Sequence, residues 1–255
     1  MVDVSFCLEM VYDDEPFADR VDRAADAGAD GIEFWDWREK ELETIEAAAK
    51  EAGLPIVGCV AGGTLTDPAR ADEAVETIRE SIETASEIGC RSLISTVGQD
   101  QAGLERDVQH QNIVEVLSTV APDAEDADVT IVVEPLNAAV DHPGYYLTAA
   151  REGYEIIEAV DSPNVKLLYD VYHQQITEGN IIQNLTENIE HVGHVHVADV
   201  PGRHEPGTGE LNYANVVTAL EDSGYDGYVG LEFAPTEDPD EAVATALDAL
   251  EDGVE

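Results

Sequence analysis

The sequence predicts an α/β fold in which eight strand–helix units form a closed (β/α)8 TIM barrel. The chain has 255 residues, close to the length of about 250 residues that is typical of such a barrel. Apolar runs of strand length begin roughly every 25 to 40 residues, which is the size of one strand–helix unit. Most of these runs are continuous rather than alternating, as expected for parallel strands that are covered on both faces.

Eight segments have the length and the apolar character of strands. They are Val4–Leu8, Gly31–Trp35, Pro55–Val60, Ser92–Val97, Thr130–Glu134, Val165–Tyr169, Val192–Val197 and Tyr228–Phe233. An open, doubly wound sheet is the alternative arrangement for such a pattern. Because no Gly-x-Gly-x-x-Gly motif follows the first predicted strand, the closed barrel is favoured.

The segments between the strands carry apolar residues three and four positions apart, which is the spacing of an amphipathic helix. Predicted helices are Phe17–Ala27, Glu39–Ala52, Asp67–Ile88, a stretch around Ile113–Leu117, and Asp240–Leu250. Glycine recurs where a helix gives way to a strand, since a left-handed residue ends a helix before the chain turns. The glycines at these junctions are Gly28, Gly53, Gly89 and Gly224.

Domain organisation and compartment follow from what the pattern lacks. No Pro/Ser-rich linker or low-complexity tract interrupts it, so residues 1–255 are predicted to form a single barrel domain. The three cysteines are odd in number and dispersed, which favours buried free thiols over a disulfide framework. The N-terminal residues lack the pattern of a secretory signal, and no apolar run approaches the roughly 20 residues of a membrane helix. We therefore expect a cytoplasmic protein.

The charge balance is extreme. The chain has 56 Asp and Glu against 12 Lys and Arg, which gives a net charge of −44. Such a chain is repelled by phosphate backbones and anionic bilayers, so nucleic-acid and membrane partners are not expected. Disorder is also excluded, because 44% of the residues are hydrophobic and lie in regular runs. The acidity indicates adaptation to multimolar salt, which screens exposed carboxylates, and therefore a halophilic source.

Polar side chains mark the last four predicted strands. Glu134, Asp170 and Glu232 each follow an apolar run, and His196 lies inside the seventh strand. Active sites of barrels form at the C-terminal ends of the strands. One such acid could be a hydrogen-bonded carboxylate of the core, but several carboxylates crowded together repel unless a cation lies between them. We predict that Glu134, Asp170, His196 and Glu232 bind a divalent metal, Mn²⁺ or Mg²⁺, with Co²⁺ as a further candidate.

Three further side chains are candidates for the same site. His173 follows Asp170 by three positions, and it either touches substrate or is a loop histidine bonded to backbone. His194 shares a strand face with His196 but lies farther from the strand end, so it is expected in a second layer. Arg203 lies in the glycine-rich loop after the seventh strand, where a guanidinium group can grip a substrate carboxylate or pair with a neighbouring acid. The three glycines of that loop could let backbone approach a ligand closely.

Four segments carry a family resemblance that extends over the whole chain. They are Val133-Glu134-Pro135-Leu136-Asn137, Leu168-Tyr169-Asp170-Val171-Tyr172-His173, His194-Val195-His196-Val197-Ala198-Asp199, and Pro201-Gly202-Arg203-His204-Glu205-Pro206-Gly207-Thr208-Gly209-Glu210-Leu211-Asn212-Tyr213. The first three resemble the xylose-isomerase-like barrel superfamily. The last resembles the signature loop of hydroxypyruvate isomerases, relatives of the ketose 3-epimerases.

The resemblance implies roles for the same residues. Glu134, Asp170, His196 and Glu232 match the metal-ligand positions of ketose 3-epimerases. Glu134 and Glu232 would then be the catalytic acid/base pair, and His173 and Arg203 would bind substrate. Two features differ from relatives: His196 stands where many bacterial hydroxypyruvate isomerases have Gln, and an Arg expected after Asn137 in some relatives is missing.

The lead hypothesis is a metal-dependent aldose–ketose isomerase for a small hydroxy-carbonyl compound. Hydroxypyruvate and tartronate semialdehyde are the expected pair, interconverted by proton transfer through a cis-enediolate. A ketose 3-epimerase for neutral sugars is the near alternative. A metal-dependent endonuclease of the same superfamily is disfavoured by the net charge, and a non-catalytic binding protein is the fourth hypothesis. Because barrels of this kind often pair, a homodimer or homotetramer is compatible with the sequence.

Overall fold

A computed structural model of the chain describes residues 2–13 and 15–251. Within these residues, eight parallel strands close into a barrel in chain order, with β8 pairing against β1. The strands are β1 Asp3–Cys7, β2 Gly31–Asp36, β3 Ile56–Val60, β4 Ser92–Ser95, β5 Thr130–Val133, β6 Val165–Asp170, β7 Val192–Val197 and β8 Tyr228–Leu231. The predicted (β/α)8 TIM barrel is confirmed.

Helices follow the strands around the outside of the barrel. They are α1 Leu8–Val11, α2 Phe17–Asp26, α3 Leu42–Ala52, α4 Ala71–Ile88, α5 Arg106–Ala127, α6 Ala150–Val160, α7 Val171–Thr177, α8 Ile181–Thr186, α9 Tyr213–Asp222 and α10 Pro239–Glu251. In the described part of the chain, none of them combines the length and the apolar character that a membrane span requires.

Two predicted helices begin too early. Short 3-10 turns at Trp37–Glu39 and Pro68–Arg70 precede α3 and α4. In each turn an aspartate just before it, Asp36 or Asp67, accepts a hydrogen bond from a backbone N–H two residues on. Such local capping competes with continuation of a helix.

Some helices end at a predicted glycine, and others end at a different residue. Gly53 and Gly89 end α3 and α4 with φ angles of 76° and 70°. By contrast, α5 and α6 end on left-handed aspartates, Asp128 with φ 54° and Asp161 with φ 52°. Aspartate tolerates this conformation because its short polar side chain can hydrogen-bond locally.

Four strands, β1, β4, β5 and β8, end earlier than predicted, and the ends of β5 and β8 place the glutamates of interest. Glu134 and Glu232 lie immediately after the last residues of β5 and β8. Each remains fixed by the barrel backbone, since Glu134 N donates to Ser95 O at 3.0 Å and Glu232 N donates to Val197 O at 3.2 Å. Both side chains therefore start from rigid positions at the C-terminal rim.

The barrel interior has an apolar side and a polar side. Ile94, Val132 and Leu168, with Val60 beside them, form a small cluster separate from the core between strands and helices. The opposite side is polar, because Glu33 of β2 contacts histidines of β7. Strands β2 and β7 are not neighbours in the barrel, so this contact crosses the interior. The polar side leads directly to the rim.

Candidate active site

The four side chains at the ends of the last four strands come together at the rim. One ligand atom from each of Glu134, Asp170, His196 and Glu232 lies within 4.8 Å of the other three. All four residues are buried, with exposures of 1–6%. They meet because parallel strands in a barrel end at the same rim. Asp170 is the last residue of β6, Glu134 and Glu232 follow β5 and β8 by one position, and His196 is the last but one residue of β7.

The two glutamates of this cluster have opposite electrostatic environments. Burial and the nearby Glu232 carboxylate raise the pKa of Glu134 to about 8. Burial also acts to raise the pKa of Glu232, but Arg203 and His196 outweigh it and hold that pKa below its ordinary value. The cluster thus holds one carboxylate that resists ionisation beside another that is firmly ionised.

The cluster fits a divalent cation. Oε1 of Glu134 and Nδ1 of His196 are buried and make no hydrogen bond within residues 2–13 and 15–251. His196 Nδ1 lies 3.2 Å from Glu232 Oε2 and 3.9 Å from Glu134 Oε1. Buried polar atoms without partners are rare in proteins, and three carboxylates with one imidazole are suitable donors for Mn²⁺, Mg²⁺ or Co²⁺. The donor set therefore matches a metal centre, and it does not distinguish among these ions.

Arg203 lies beside this cluster rather than on the surface. Its side chain is 17% exposed, and Nη2 lies 2.5 Å from Glu232 Oε2 and 3.7 Å from Asp170 Oδ2. Its guanidinium group also lies over the Tyr172 ring, 5.4 Å from the centroid. Burial acts to lower the pKa of Arg203, but these carboxylates raise it above the ordinary value. The ion-pair alternative is thus observed, with acids of the candidate site itself.

The loop that carries Arg203 is organised by one buried carboxylate. Asp199 accepts hydrogen bonds from four backbone N–H groups, those of Val200, Gly207, Gly209 and Leu211, at 2.8–3.2 Å. A Cβ at Gly209 would lie 2.3 Å from the Val200 carbonyl oxygen and 2.4 Å from Asp199 Oδ1. Gly209 is therefore needed to fold the loop on itself, and the expected role in close approach to a ligand does not apply to it.

His173 is a buried residue of α7 whose imidazole has a defined tautomer. Asn137 Oδ1 accepts from the backbone N–H groups of Val140 and Asp141 at 2.9 and 3.2 Å. This orientation turns the amide Nδ2 toward Asp141 and toward His173 Nδ1, 2.7 Å from each. Because Nδ1 accepts, a neutral imidazole carries its proton on Nε2. Burial lowers the pKa of His173 despite the opposing charge of Asp170, which favours the neutral form.

The free nitrogen of His173 faces the site. Nε2 is buried, makes no hydrogen bond within the described part of the chain, and lies 3.6 Å from Asp170 Oδ2. His173 therefore offers one N–H donor next to the carboxylate cluster. The alternative interpretation as a loop histidine was wrong, since His173 lies in the first turn of α7, which Asp170 caps.

Two residues of this region escaped sequence analysis. Trp35 donates from Nε1 to Glu232 Oε1 at 2.9 Å. Glu33 is buried and lies against His194 Nε2 at 3.0 Å and His196 Nε2 at 2.8 Å. The only sign of Glu33 in the sequence was its position as an acidic residue inside the apolar run Gly31–Trp35. His194 occupies the expected second layer and does not reach the four-residue cluster.

A cleft of about 330 Å³ opens above these side chains. Its apolar lining includes Val60, Ile94 and Leu136, and its polar lining includes Arg203 and His173. The apolar lining continues the apolar side of the barrel interior. A small ligand in this cleft would meet both apolar and polar side chains.

Comparisons with known proteins agree with this architecture. A family profile described as xylose isomerase-like TIM barrel matches residues 21–253. Hydroxypyruvate isomerase of Escherichia coli (strain K12) is 33% identical over 92% of this chain and 94% of its own length. A 2-oxo-tetronate isomerase of Cupriavidus necator is 32% identical over 89% of this chain and 91% of its own length.

Solved structures show the same fold. A structure described as AP endonuclease, family 2, from Brucella melitensis has a TM-score of 0.91 and 29% identity, covering 96% of this chain and 97% of that one. D-Allulose 3-epimerase from Methylomonas sp. has a TM-score of 0.82 and 21% identity, covering 98% of this chain and 96% of that one, which is evidence for the fold alone. The chain belongs to the xylose isomerase-like TIM barrel family.

Proposed function

We propose that this member of the xylose isomerase-like family is a metal-dependent isomerase of small keto acids, with hydroxypyruvate and tartronate semialdehyde as the leading pair. The observation that carries the proposal is the meeting of two buried glutamates with Asp170 and His196 beside Arg203. Among the described residues that line the cleft, Arg203 is the only Lys or Arg. The relatives described as hydroxypyruvate isomerase and 2-oxo-tetronate isomerase support a keto acid substrate.

The reaction removes a proton from one carbon of the substrate and returns a proton to the adjacent carbon. One glutamate removes a proton from C3 of hydroxypyruvate, and the electron pair moves onto the C2 carbonyl oxygen to give a cis-enediolate. The partner glutamate, or the same one after moving, returns a proton to C2. The C3 hydroxyl proton passes to the C2 oxygen, which leaves an aldehyde at C3. Glu134 is suited to proton exchange because it lines the cleft, and a carboxylate that gives one oxygen to a metal keeps the other for proton transfer.

The remaining side chains orient the substrate. Arg203 holds the substrate carboxylate by paired hydrogen bonds, and its buried Nε has no partner among the described residues. His173 donates from Nε2 to a substrate oxygen. Trp35 and Arg203 hold Glu232 between them.

A divalent ion held by Glu134, Asp170, His196 and Glu232 would supply Lewis-acid polarisation of the substrate oxygens. The four side chains are buried, and in such surroundings of low dielectric constant each charged group acts more strongly on the developing negative charge.

A ketose 3-epimerase for neutral sugars is the second candidate. His196 favours it, because this residue completes the ligand set implied by the epimerase resemblance. The same two glutamates would then act on opposite faces of one carbon. The buried cation Arg203 favours the keto acid, since a neutral sugar does not require a charged partner.

DNA cleavage is disfavoured despite the name of the Brucella melitensis structure. A nuclease must approach a polyanion, and a net charge of −44 opposes that approach.

The test is an assay of the purified protein in concentrated KCl with Mn²⁺, using hydroxypyruvate and a neutral ketose side by side. We expect conversion of hydroxypyruvate and its loss, by about 10²-fold or more, in Glu134→Gln, since the amide cannot exchange the proton. Glu87→Gln is the matched control, because Glu87 is exposed on α4. Absence of hydroxypyruvate conversion, or full activity of Glu134→Gln, would contradict the proposal. Conversion of the neutral ketose alone would favour the epimerase.

A further inference from the structure

Glu33 lies at the centre of the polar side of the barrel and uses both carboxylate oxygens. Its side chain is 2% exposed. Oε1 accepts from the Ser5 hydroxyl group and lies 3.0 Å from His194 Nε2. Oε2 lies 2.8 Å from His196 Nε2. Three hydrogen-bonding side chains thus surround one buried carboxylate.

Two strand glycines make the space for this arrangement. A Cβ at Gly230 of β8 would lie 2.4 Å from Glu33 Oε1 and 2.7 Å from His196 Cδ2. A Cβ at Gly58 of β3 would lie 3.3 Å from Glu33 Oε2. Glycine inside a strand is unfavourable and often marks a close approach of another group. Here both glycines face the same carboxylate.

The hydrogen-bonding capacity of Glu33 determines which nitrogens carry protons. The Ser5 hydroxyl group and two imidazole nitrogens converge on the two oxygens of Glu33. A carboxylate accepts hydrogen bonds from such neighbours, so His194 and His196 each present an N–H at Nε2. In a neutral imidazole the other nitrogen then has a free lone pair. For His196 that atom is Nδ1, which lies 3.2 Å from Glu232 Oε2 and makes no hydrogen bond within the described residues.

We propose that Glu33 is a positioning residue that fixes His196 as its Nε2–H tautomer and so turns the Nδ1 lone pair toward the carboxylates of Glu134, Asp170 and Glu232 as a metal ligand. The inference rests on the metal centre of the proposed function. Metal-binding histidines commonly donate their second N–H to a carboxylate, which fixes tautomer and ring orientation. His194, bound to the other oxygen, keeps the Glu33 carboxylate from rotating away.

The test is a titration of metal-stripped protein with Mn²⁺ and Co²⁺ in concentrated KCl. We expect Glu33→Gln to weaken binding by about 10- to 100-fold, the usual loss when such a partner is removed. The amide can accept from only one imidazole, so the two histidines no longer share the same tautomer. The absorption spectrum of the Co²⁺ form should shift as well. Glu205→Gln is the matched control, since Glu205 is also a buried glutamate, but both its oxygens accept from Thr236.

A structural role alone would give a different result. Glu33→Gln would then lower the melting temperature, while the folded protein would bind metal as tightly as the wild type, and that outcome overturns the inference. A stoichiometry of two ions in the wild type also overturns it, because Glu33, His194 and His196 would then form a second metal site. If the wild type binds no metal, the proposed centre fails together with the role of Glu33. Normal wild-type binding with an unaffected variant rejects only the role of Glu33.

A measurement on the wild type keeps the inference testable if Glu33→Gln does not fold. In ¹⁵N-labelled protein loaded with Mg²⁺, long-range ¹H–¹⁵N spectra distinguish the two ring nitrogens of His196. The proton is expected on Nε2. A proton on Nδ1 would contradict the assignment, since that nitrogen would then be unable to bind metal.

Discussion

Arg203 links the carboxylate cluster to the cleft because its guanidinium group has more donors than the neighbouring acids use. Nη2 pairs with Glu232 at 2.5 Å, whereas Nε is buried without a hydrogen-bond partner in the part of the chain that is described. A guanidinium group offers five N–H donors in a planar fork that matches a carboxylate. One edge of the group can therefore hold Glu232 while other donors meet a substrate carboxylate.

We expect Arg203→Met to lower kcat/KM for hydroxypyruvate by about 30-fold or more. Removal of one member of a buried, hydrogen-bonded charge pair costs about 2–5 kcal/mol, and 2 kcal/mol corresponds to roughly 30-fold. Arg203→Lys should have an intermediate value, because it keeps the charge without the planar fork. Steady-state kinetics with hydroxypyruvate and with a neutral ketose provide the measurement.

Arg79→Met is the control for that experiment, because Arg79 is a partly exposed cation that pairs with Asp123 on the surface. Its kinetics should match those of the wild type. An equal loss for the charged and the neutral substrate in Arg203→Met would show that Arg203 acts only through Glu232, and the proposed grip on the carboxylate would be rejected.

Sequence analysis identified residues that a local pattern marks, and it missed a residue whose contacts are distant in the sequence. Glu134, Asp170 and Glu232 were found because each follows an apolar run, which is visible in a short segment. Glu33 contacts His194 and His196 across separations of 161 and 163 positions. Such a contact depends on closure of the barrel and on where each strand starts. An acid inside an apolar strand gives a signal, but not the identity of its partner.

Among the elements, the loop from Asp199 to Leu211 positions Arg203. Its backbone N–H groups converge on the Asp199 carboxylate, and Arg203 itself has a left-handed φ of 58°. A non-glycine residue in this conformation is held there by its surroundings. Arg203 N donates to the Asp199 carbonyl oxygen at 3.1 Å, and Ala234 N donates to the Arg203 carbonyl oxygen at 2.8 Å. The loop thus acts as a rigid support rather than as a mobile flap.

We expect Asp199→Asn to lower the free energy of unfolding by about 3 kcal/mol or more. An amide N–H₂ in place of one oxygen would face two backbone donors, and each hydrogen bond to a charged group contributes about 1.5–3 kcal/mol. Displacement of Arg203 should also lower kcat/KM and change the Mn²⁺ affinity, because Arg203 pairs with the candidate metal ligand Glu232. Chemical denaturation, kinetics and metal titration together measure these effects.

Asp222→Asn is the control for the loop, since Asp222 is an exposed acid at the end of α9. It should behave as the wild type in all three measurements. Retention of both stability and activity by Asp199→Asn would show that the loop does not depend on this carboxylate.

Elements were predicted best where a local pattern determines them. The eight strands were located because buried parallel strands are continuous apolar runs. The starts of α3 and α4 were misplaced because aspartate side chains cap short turns ahead of them. Gly209 of the Arg203 loop was misinterpreted because its role depends on Asp199, whose contact to the Gly209 backbone forms only in the folded loop.

At the scale of the whole molecule, the acids at the surface and the buried acids of the cluster have different surroundings. With 12 Lys and Arg for 56 Asp and Glu, most acids have no cation to pair with. Pairs such as Arg70–Glu73 and Arg79–Asp123 lie at the surface, where an ion pair contributes about 0–1 kcal/mol. Surface pairing therefore does little to offset the repulsion. The acids of the cluster are buried, where the ion pairs of Arg203 with Glu232 and Asp170 offset their charge in place of salt.

We propose that the surface is adapted to concentrated salt, and we expect the melting temperature to rise steeply with KCl. Repulsion within a chain of net charge −44 opposes the compact state. The screening length falls from about 10 Å at 0.1 M to about 3 Å at 1 M salt. The measurement is a series of thermal unfolding curves across this range and above it. Sucrose is the control, because an excluded osmolyte strengthens burial without screening charge. If sucrose at low salt restores the melting temperature as fully as KCl, burial rather than repulsion is limiting. A melting temperature independent of KCl would reject adaptation to salt altogether, and would leave the acidity without a role in stability.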